Sequence, residues 1–90
     1  KENVMRLYDT YLKYKKQYPD TLLFIKSGNF YEALQDDAYI LHFVFHYKML
    51  KKKRFVQVGF PEKLLDQVMN ECQNLSCFVI QKKGGERTVI

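Results

Sequence analysis

Apolar residues recur along the chain first with a helical period and then with a strand period. Val4, Leu7, Tyr8, Tyr11, Leu12 and Tyr18 share one face of a helix predicted over residues 3–18, with Lys13, Lys15 and Lys16 off that face. Pro19-Asp20 ends it. Residues 21–26 are apolar on both faces, as a central strand is, and Ser27-Gly28-Asn29 has the chemistry of a sharp reversal. A second helix is predicted over 33–43. Leu34, Ala38, Leu41 and Phe45 form its inner face, and Asp36 and Asp37 lie in its first turn, where carboxylates suit the helix dipole. From His42 to Leu50 the pattern drifts to alternation and predicts a strand. Lys51-Lys52-Lys53 is then a hairpin tip and 54–60 the returning strand. Pro61 is read as opening a third helix, with Leu64, Leu65, Val68, Met69, Cys72 and Leu75 inward. Strands over 77–81 and 87–90, joined by a turn at Gly84-Gly85, complete the pattern.

The order αβ-αββ-αββ predicts an α/β (α+β) fold, a small mixed β-sheet flanked by helices. Leu22, Phe24, Val56, Val58, Leu65, Val68, Val79 and Ile80 are its expected core. Ninety residues make one domain, 1–90, and seven Phe and seven Tyr allow an aromatic-rich core without disulfide or metal. The missing initiator Met is read as the mark of a segment from a longer protein. No apolar run approaches the ~20 residues a membrane span needs, and the polar N-terminus is unlike a signal peptide. The expected location is therefore intracellular, cytoplasmic or nucleoid-associated, with no membrane partner.

Several kinds of chemistry find no support. Cys72 and Cys77 have no CxxC spacing and no neighbouring His, and read as small buried hydrophobes. His42 and His46, four apart, lack a third ligand and read as surface or cap residues. The carboxylates Asp20, Glu32, Asp36 and Asp37 could suggest a nuclease, but no Asp-x-Lys or Glu-x-Lys pair occurs anywhere in the chain. No Walker motif is present, so this segment is not expected to hydrolyse ATP. It is read as a non-enzyme, with no catalytic residue, metal or cofactor of its own.

The net charge of +5 favours a polyanionic partner, nucleic acid before an acidic membrane. Lys51-Lys52-Lys53-Arg54 is a candidate phosphate-contacting loop, although such a run is also an ordinary solvated hairpin tip; Lys26 and Lys48 add to the same field. Against this basic background Gly28-Asn29-Phe30-Tyr31-Glu32 is the unusual stretch. Phe30 alone would pass for a core residue of a short second strand, and Glu32 for a helix-start carboxylate. Together they place a ring and a carboxylate on one side of a glycine turn, with Tyr31 opposite. A ring entering the minor groove unstacks a base step at a cost of a few kcal/mol, least where the step is already weakened. A carboxylate beside it repels phosphates by ~1–4 kcal/mol at contact, a penalty that a displaced base offsets by sharing a proton.

Residues 22–32, continuing to Asp36-Asp37-Ala38, resemble the hallmark segment of the N-terminal mismatch-recognition domain of the MutS family of DNA mismatch-repair proteins. The helix ending Tyr18-Pro19-Asp20, the block Gly59-Phe60-Pro61 and the strand Phe78-Val79-Ile80-Gln81 are similar to that domain in the same order. The chain departs from the family pattern at Asn29, usually Asp, at Ser27, often Met, at Glu62-Lys63, commonly Tyr-His, and in a shorter segment before Gly59.

The resemblance implies that Phe30 is the wedge and Glu32 the base-contacting carboxylate. Lys26, Asn29 and the basic run Lys51, Lys52, Lys53 and Arg54 are further candidate DNA contacts, the run read from its charge as a phosphate-contacting or packing-interface loop. The resemblance implies double-stranded DNA with a mismatch or small loop as ligand, and other domains of the same chain as partners. It also implies a homodimer of the full-length protein, with ATP and Mg confined to a distant domain. The alternatives are an architectural or protein-interaction module that kept the fold, or a standalone binder of bent DNA.

Overall fold

A computed structural model describes residues 4–72, 77–83 and 86–89, with side-chain environments for residues 6–72. The elements run α1 (Val4–Gln17), β1 (Leu22–Ser27), β2 (Phe30–Leu34), α2 (Gln35–Phe45), β3 (Met49–Lys51) and β4 (Val56–Pro61). A 3-10 turn (Glu62–Leu64), α3 (Leu65–Glu71), β5 (Cys77–Lys83) and β6 (Glu86–Val89) follow. One mixed six-stranded sheet has the order β3-β4-β2-β1-β5-β6. β1 is central as expected, antiparallel to β2 and parallel to β5. The fold is thus the α+β class read from the sequence.

Period-two alternation sorts the sheet into two faces. Leu23, Ile25 and Leu34 pack with Leu7, Tyr11 and Tyr14 of α1 and with Phe55. Leu22, Phe24, Tyr31, Ala33, Val58 and Phe60 form the other face, covered by Ala38 and Leu41 of α2, by Val68 of α3 and by Cys72 at the end of that helix. Phe24 and Phe60 meet edge-on at 5.5 Å, the geometry that ring quadrupoles favour. Of the expected core, Leu22, Phe24, Val58 and Val68 are buried and Val56 and Leu65 half-buried, while the side chains of Val79 and Ile80 lie outside the described residues. On α1 the reading needs two corrections. Leu12 is exposed, and Tyr14 takes the inner position. Lys15, expected outward, turns in to pair with Asp37 at 3.0 Å.

The predicted second helix begins two residues too early. Ala33 and Leu34 belong to β2, because their backbone is claimed by β4 through the pairs Ala33↔Val58 and Leu34↔Gln57. Cross-strand pairing overrides the local helical preference here. The reversal into α2 falls at Gln35, in the left-handed region at φ 53°, where its side-chain Oε1 accepts the Val56 N–H at 3.0 Å. The strand predicted from His42 is also corrected. Helix α2 continues to Phe45 and stops where His46, at φ 61°, caps it through an N–H to the His42 carbonyl. Only Met49–Lys51 is extended. Pro61 closes β4 opposite Phe30 instead of opening a helix. Leu75 and the Gly84-Gly85 turn lie outside the described residues. Among the described residues, no helix is long and apolar enough to cross a membrane.

Candidate functional site

Ser27 pairs with Phe30 across a two-residue loop, Gly28-Asn29. Gly28 sits at φ 62°, and a Cβ there would meet nothing within 4 Å, so it is backbone conformation, not crowding, that favours glycine. Positive φ at the first of two central residues is the form of tight hairpin that matches strand twist. The Asn29 carbonyl accepts the Glu62 N–H at 2.8 Å, tying the loop to the 3-10 turn. The loop is therefore held from both sides, and Phe30 leaves it at the start of β2 with 44% of its surface exposed.

Glu32 lies two residues on, on the same face, opposite Ile25 of β1 and Gly59 of β4. α1 covers this face over Leu23, Ile25 and Leu34 but leaves Phe30 exposed and Glu32 half-buried. The carboxyl lies over Gly59, and Gln57 Nε2 donates to its Oε1 at 2.8 Å. Burial pushes the Glu32 carboxyl above the usual carboxylate range, because the charged form loses hydration there; the Gln57 hydrogen bond and the Lys52 charge pull the other way. Read from the sequence as a carboxylate beside the exposed ring, Glu32 proves less open to solvent than Phe30. It is a half-buried acid with one side-chain hydrogen bond among the described residues.

The other residues singled out in the sequence do not all gather here. Lys26 faces Tyr31, across the sheet from Phe30 and Glu32. Its ammonium pairs with Glu62 at 3.0 Å, donates to the Gly28 carbonyl at 2.8 Å and lies 6.0 Å from the Tyr31 ring. It braces the loop from the far side. Lys51, Lys52, Lys53 and Arg54 are all exposed around the β3–β4 tip, closed by the Lys52 N–H to the Phe55 carbonyl at 2.8 Å. The tip is anchored by Phe55, buried and stacked on Tyr8 of α1 at 5.0 Å. Because Leu34, not Phe30, pairs near the tip, the basic loop lies at the opposite end of β2, roughly 13 Å along the strand from Phe30. Lys52 is the tip cation whose field reaches Glu32.

Two residues at the site were missed by the sequence reading. Gln57 and Gly59 alternate with Val56, Val58 and Phe60, so polar and small positions at a strand period were the available signal. A separate cleft of about 270 Å³, lined by Lys15, Asp20, Asp36, Asp37 and Ile40 among others, contains neither Phe30 nor Glu32. Beside it, Asp37 accepts from Lys15, from the Leu23 N–H at 3.1 Å and from Tyr11, joining α1, β1 and α2. His42, read as a cap or surface residue, binds the Tyr47 carbonyl through Nδ1 at 2.7 Å. Cys72 is buried, as read from the sequence. Among the described residues, no group of His, Cys, Asp and Glu is placed to hold a metal.

Comparison with known proteins finds the family model described as MutS domain I matching residues 5–78. A protein named DNA mismatch repair protein MutS from Lactobacillus helveticus is 36% identical over 67 residues, 69% of this chain and 8% of that protein. The protein of the same name from Thermotoga petrophila is 31% identical over 68 residues, 76% of this chain and 9% of its own length. One from Pelotomaculum thermopropionicum is 61% identical over a shorter stretch of 28 residues, 31% of this chain and 3% of its own. The matches span less than a tenth of each relative's length.

Proposed function

The chain belongs to the MutS domain I family, and from that premise we propose that it senses mispaired or unpaired bases in double-stranded DNA. Phe30 enters the base stack and the Glu32 carboxyl reads the step it opens. The observation that carries this reading is the shared face of the two residues: an exposed ring beside an acid that burial makes easier to protonate. The ring costs a few kcal/mol to insert at an intact step and less at a mismatch. A protonated Glu32 donates to a base acceptor, and an ionised one accepts from a base donor. At an intact step the bases stay stacked and paired, so the cost of inserting the ring is not relieved and the carboxylate's repulsion with phosphate adds to it.

The basic β3–β4 tip supplies sequence-independent phosphate contacts at a distance from the wedge. The domain performs no catalysis. ATP hydrolysis with Mg, dimerisation and the contacts that hold DNA bent belong, on this reading, to further parts of a full-length MutS-like protein.

A protein-interaction module is the second reading. It draws its support from α2, where Tyr39, Phe43 and Val44 are exposed, Phe43 by 74%. Competitive binding of the 90-residue chain to a matched duplex and to a duplex with a one-base bulge separates the two. Preference for the bulge that requires Phe30 supports sensing; equal binding, or none, overturns it in favour of the interaction module.

A further inference from the structure

We propose that Gln57 is the positioning residue of this site: its side-chain amide pins Glu32 Oε1 above Gly59 and leaves Oε2 as the one oxygen offered to a base edge. The inference rests on the DNA-reading role given to Glu32, but the observations behind it are independent of that role. Gln57 and Gly59 lie two residues apart on β4, opposite Leu34 and Glu32, so both face the same side as the carboxyl. Gln57 Nε2 donates to Glu32 Oε1 at 2.8 Å. The other end of the same amide, Gln57 Oε1, is buried and accepts from no donor among the described residues. A buried amide oxygen ordinarily finds a donor. This one forgoes it, so the amide is held by its nitrogen. Turned by half a revolution, it would set its oxygen against the carboxylate, acceptor to acceptor.

The surroundings leave Gln57 as the donor that matters. β1 presents the apolar Ile25 opposite Glu32, and β4 presents Gly59, which has no side chain. The hairpin tip contributes the Lys52 charge through space. Among the described residues Glu32 Oε2 accepts from no protein donor, and it is not among the buried unpartnered atoms. One oxygen is therefore engaged and one is open. Without Gln57 the carboxyl can rotate and exchange its oxygens, and its ionised form loses its one hydrogen bond while burial remains.

The test is a carboxyl-carbon NMR titration of Glu32 in the DNA-free chain, for wild type, Gln57→Met and Gln57→Lys. Gln57→Met is expected to move the titration midpoint upward, and Gln57→Lys, which restores a donor and adds positive charge, to bring it back down. In wild type the side-chain amide resonances of Gln57 should shift with the same midpoint as the Glu32 carboxyl, a readout that needs no variant to fold. A midpoint indifferent to both substitutions, or amide resonances indifferent to Glu32, overturns the proposal. Binding gives the second arm: in Gln57→Met the preference for the bulged duplex should fall about tenfold, the equivalent of one charged hydrogen bond. A moved midpoint with an intact preference refutes the presentation of Oε2 to DNA. A wild-type chain with no preference at all refutes the sensing reading, while the titration still decides whether Gln57 holds Glu32.

Discussion

The Glu32 carboxyl occupies the space that a side chain at position 59 would need: a Cβ on Gly59 would stand 2.5 Å from Oε1. The two residues are direct cross-strand partners, so the glycine is what lets the carboxyl lie down on β4 beside Gln57. Gly59→Ala should therefore displace the carboxyl rather than the backbone, since the atom in the way is the end of a flexible side chain. Stability should change by less than about 1 kcal/mol, because alanine suits a strand backbone better than glycine does. Preference for bulged DNA should be lost. Urea unfolding and competitive binding on one preparation check both halves, and an intact preference in a folded Gly59→Ala chain would refute the placement.

Phe30 is the opposite case, a ring with much of its surface in solvent. Phe30→Ala should leave the unfolding free energy within about 0.5 kcal/mol of wild type. Affinity for a one-base bulge should weaken by ~1–3 kcal/mol, the range of base–aromatic stacking, with matched-duplex affinity nearly unchanged. A loss shared equally by both duplexes would make Phe30 a general contact.

Glu32 carries a sign that can be measured without DNA. Burial raises its pKa in the folded chain, so the folded state holds the proton more tightly than the unfolded state does. Stability from this group is fully present below the ordinary carboxylate range and is lost as pH rises through the raised folded value. Glu32→Gln removes that dependence, and the variant should gain stability relative to wild type towards neutral pH, with the difference shrinking on acidification. Denaturant midpoints for both chains across that range give the comparison. On DNA, Glu32→Gln should also bind matched duplex more tightly, because a repulsion with phosphate is gone.

The β3–β4 tip predicts a salt effect. Neutralising Lys51, Lys52, Lys53 and Arg54 together should lower affinity for matched and bulged duplexes alike. The slope of log K against log salt should flatten by about 0.9 for each phosphate that the tip no longer neutralises. Binding by the wild-type chain should itself be weak and steeply salt-dependent, since a bend needs contacts beyond one wedge to hold it. Fluorescence titrations at several salt concentrations test this, and a slope unchanged by the substitutions would remove the tip from the interface.

Asp37 predicts the largest structural loss. It is 1% exposed and is held by Lys15, the Leu23 N–H and Tyr11 from two other elements. Asp37→Ala strands a buried amide and an ammonium, at about 3–5 kcal/mol. Asp37→Asn keeps an acceptor for Leu23 and should lose less. Thermal and urea unfolding rank the two; equal losses would mean that the charge, not the acceptor, carries the network.

Much of the fold was legible in local pattern. The central strand, the amphipathic α1 and the Lys51–Lys53 tip each rest on periodicity or turn chemistry contained in a few neighbouring residues. The missed strand β2 shows the limit. Phe30 to Leu34 has no strand signature strong enough to compete with the helical pattern that follows. It is extended because β1 and β4 take both of its edges. In the same way, nothing local turns Lys15 inward; Asp37, 22 residues away, does.

For the candidate site, the sequence by itself determined the pair: Gly28 for the reversal, then Phe30 and Glu32 two apart and so on one face. Only the tertiary structure decided what each side chain experiences. It left Phe30 beyond the cover of α1, moved Lys26 to the opposite face as a brace for the loop, and set Glu32 between Ile25 and Gly59 with Gln57 as its donor. The physical reason is range. Turn preference and side-chain alternation act over two to four residues and can be read along the chain. Desolvation and hydrogen bonding of a carboxyl depend on which strands lie beside it, and β4, which supplies both Gly59 and Gln57, comes more than twenty residues later.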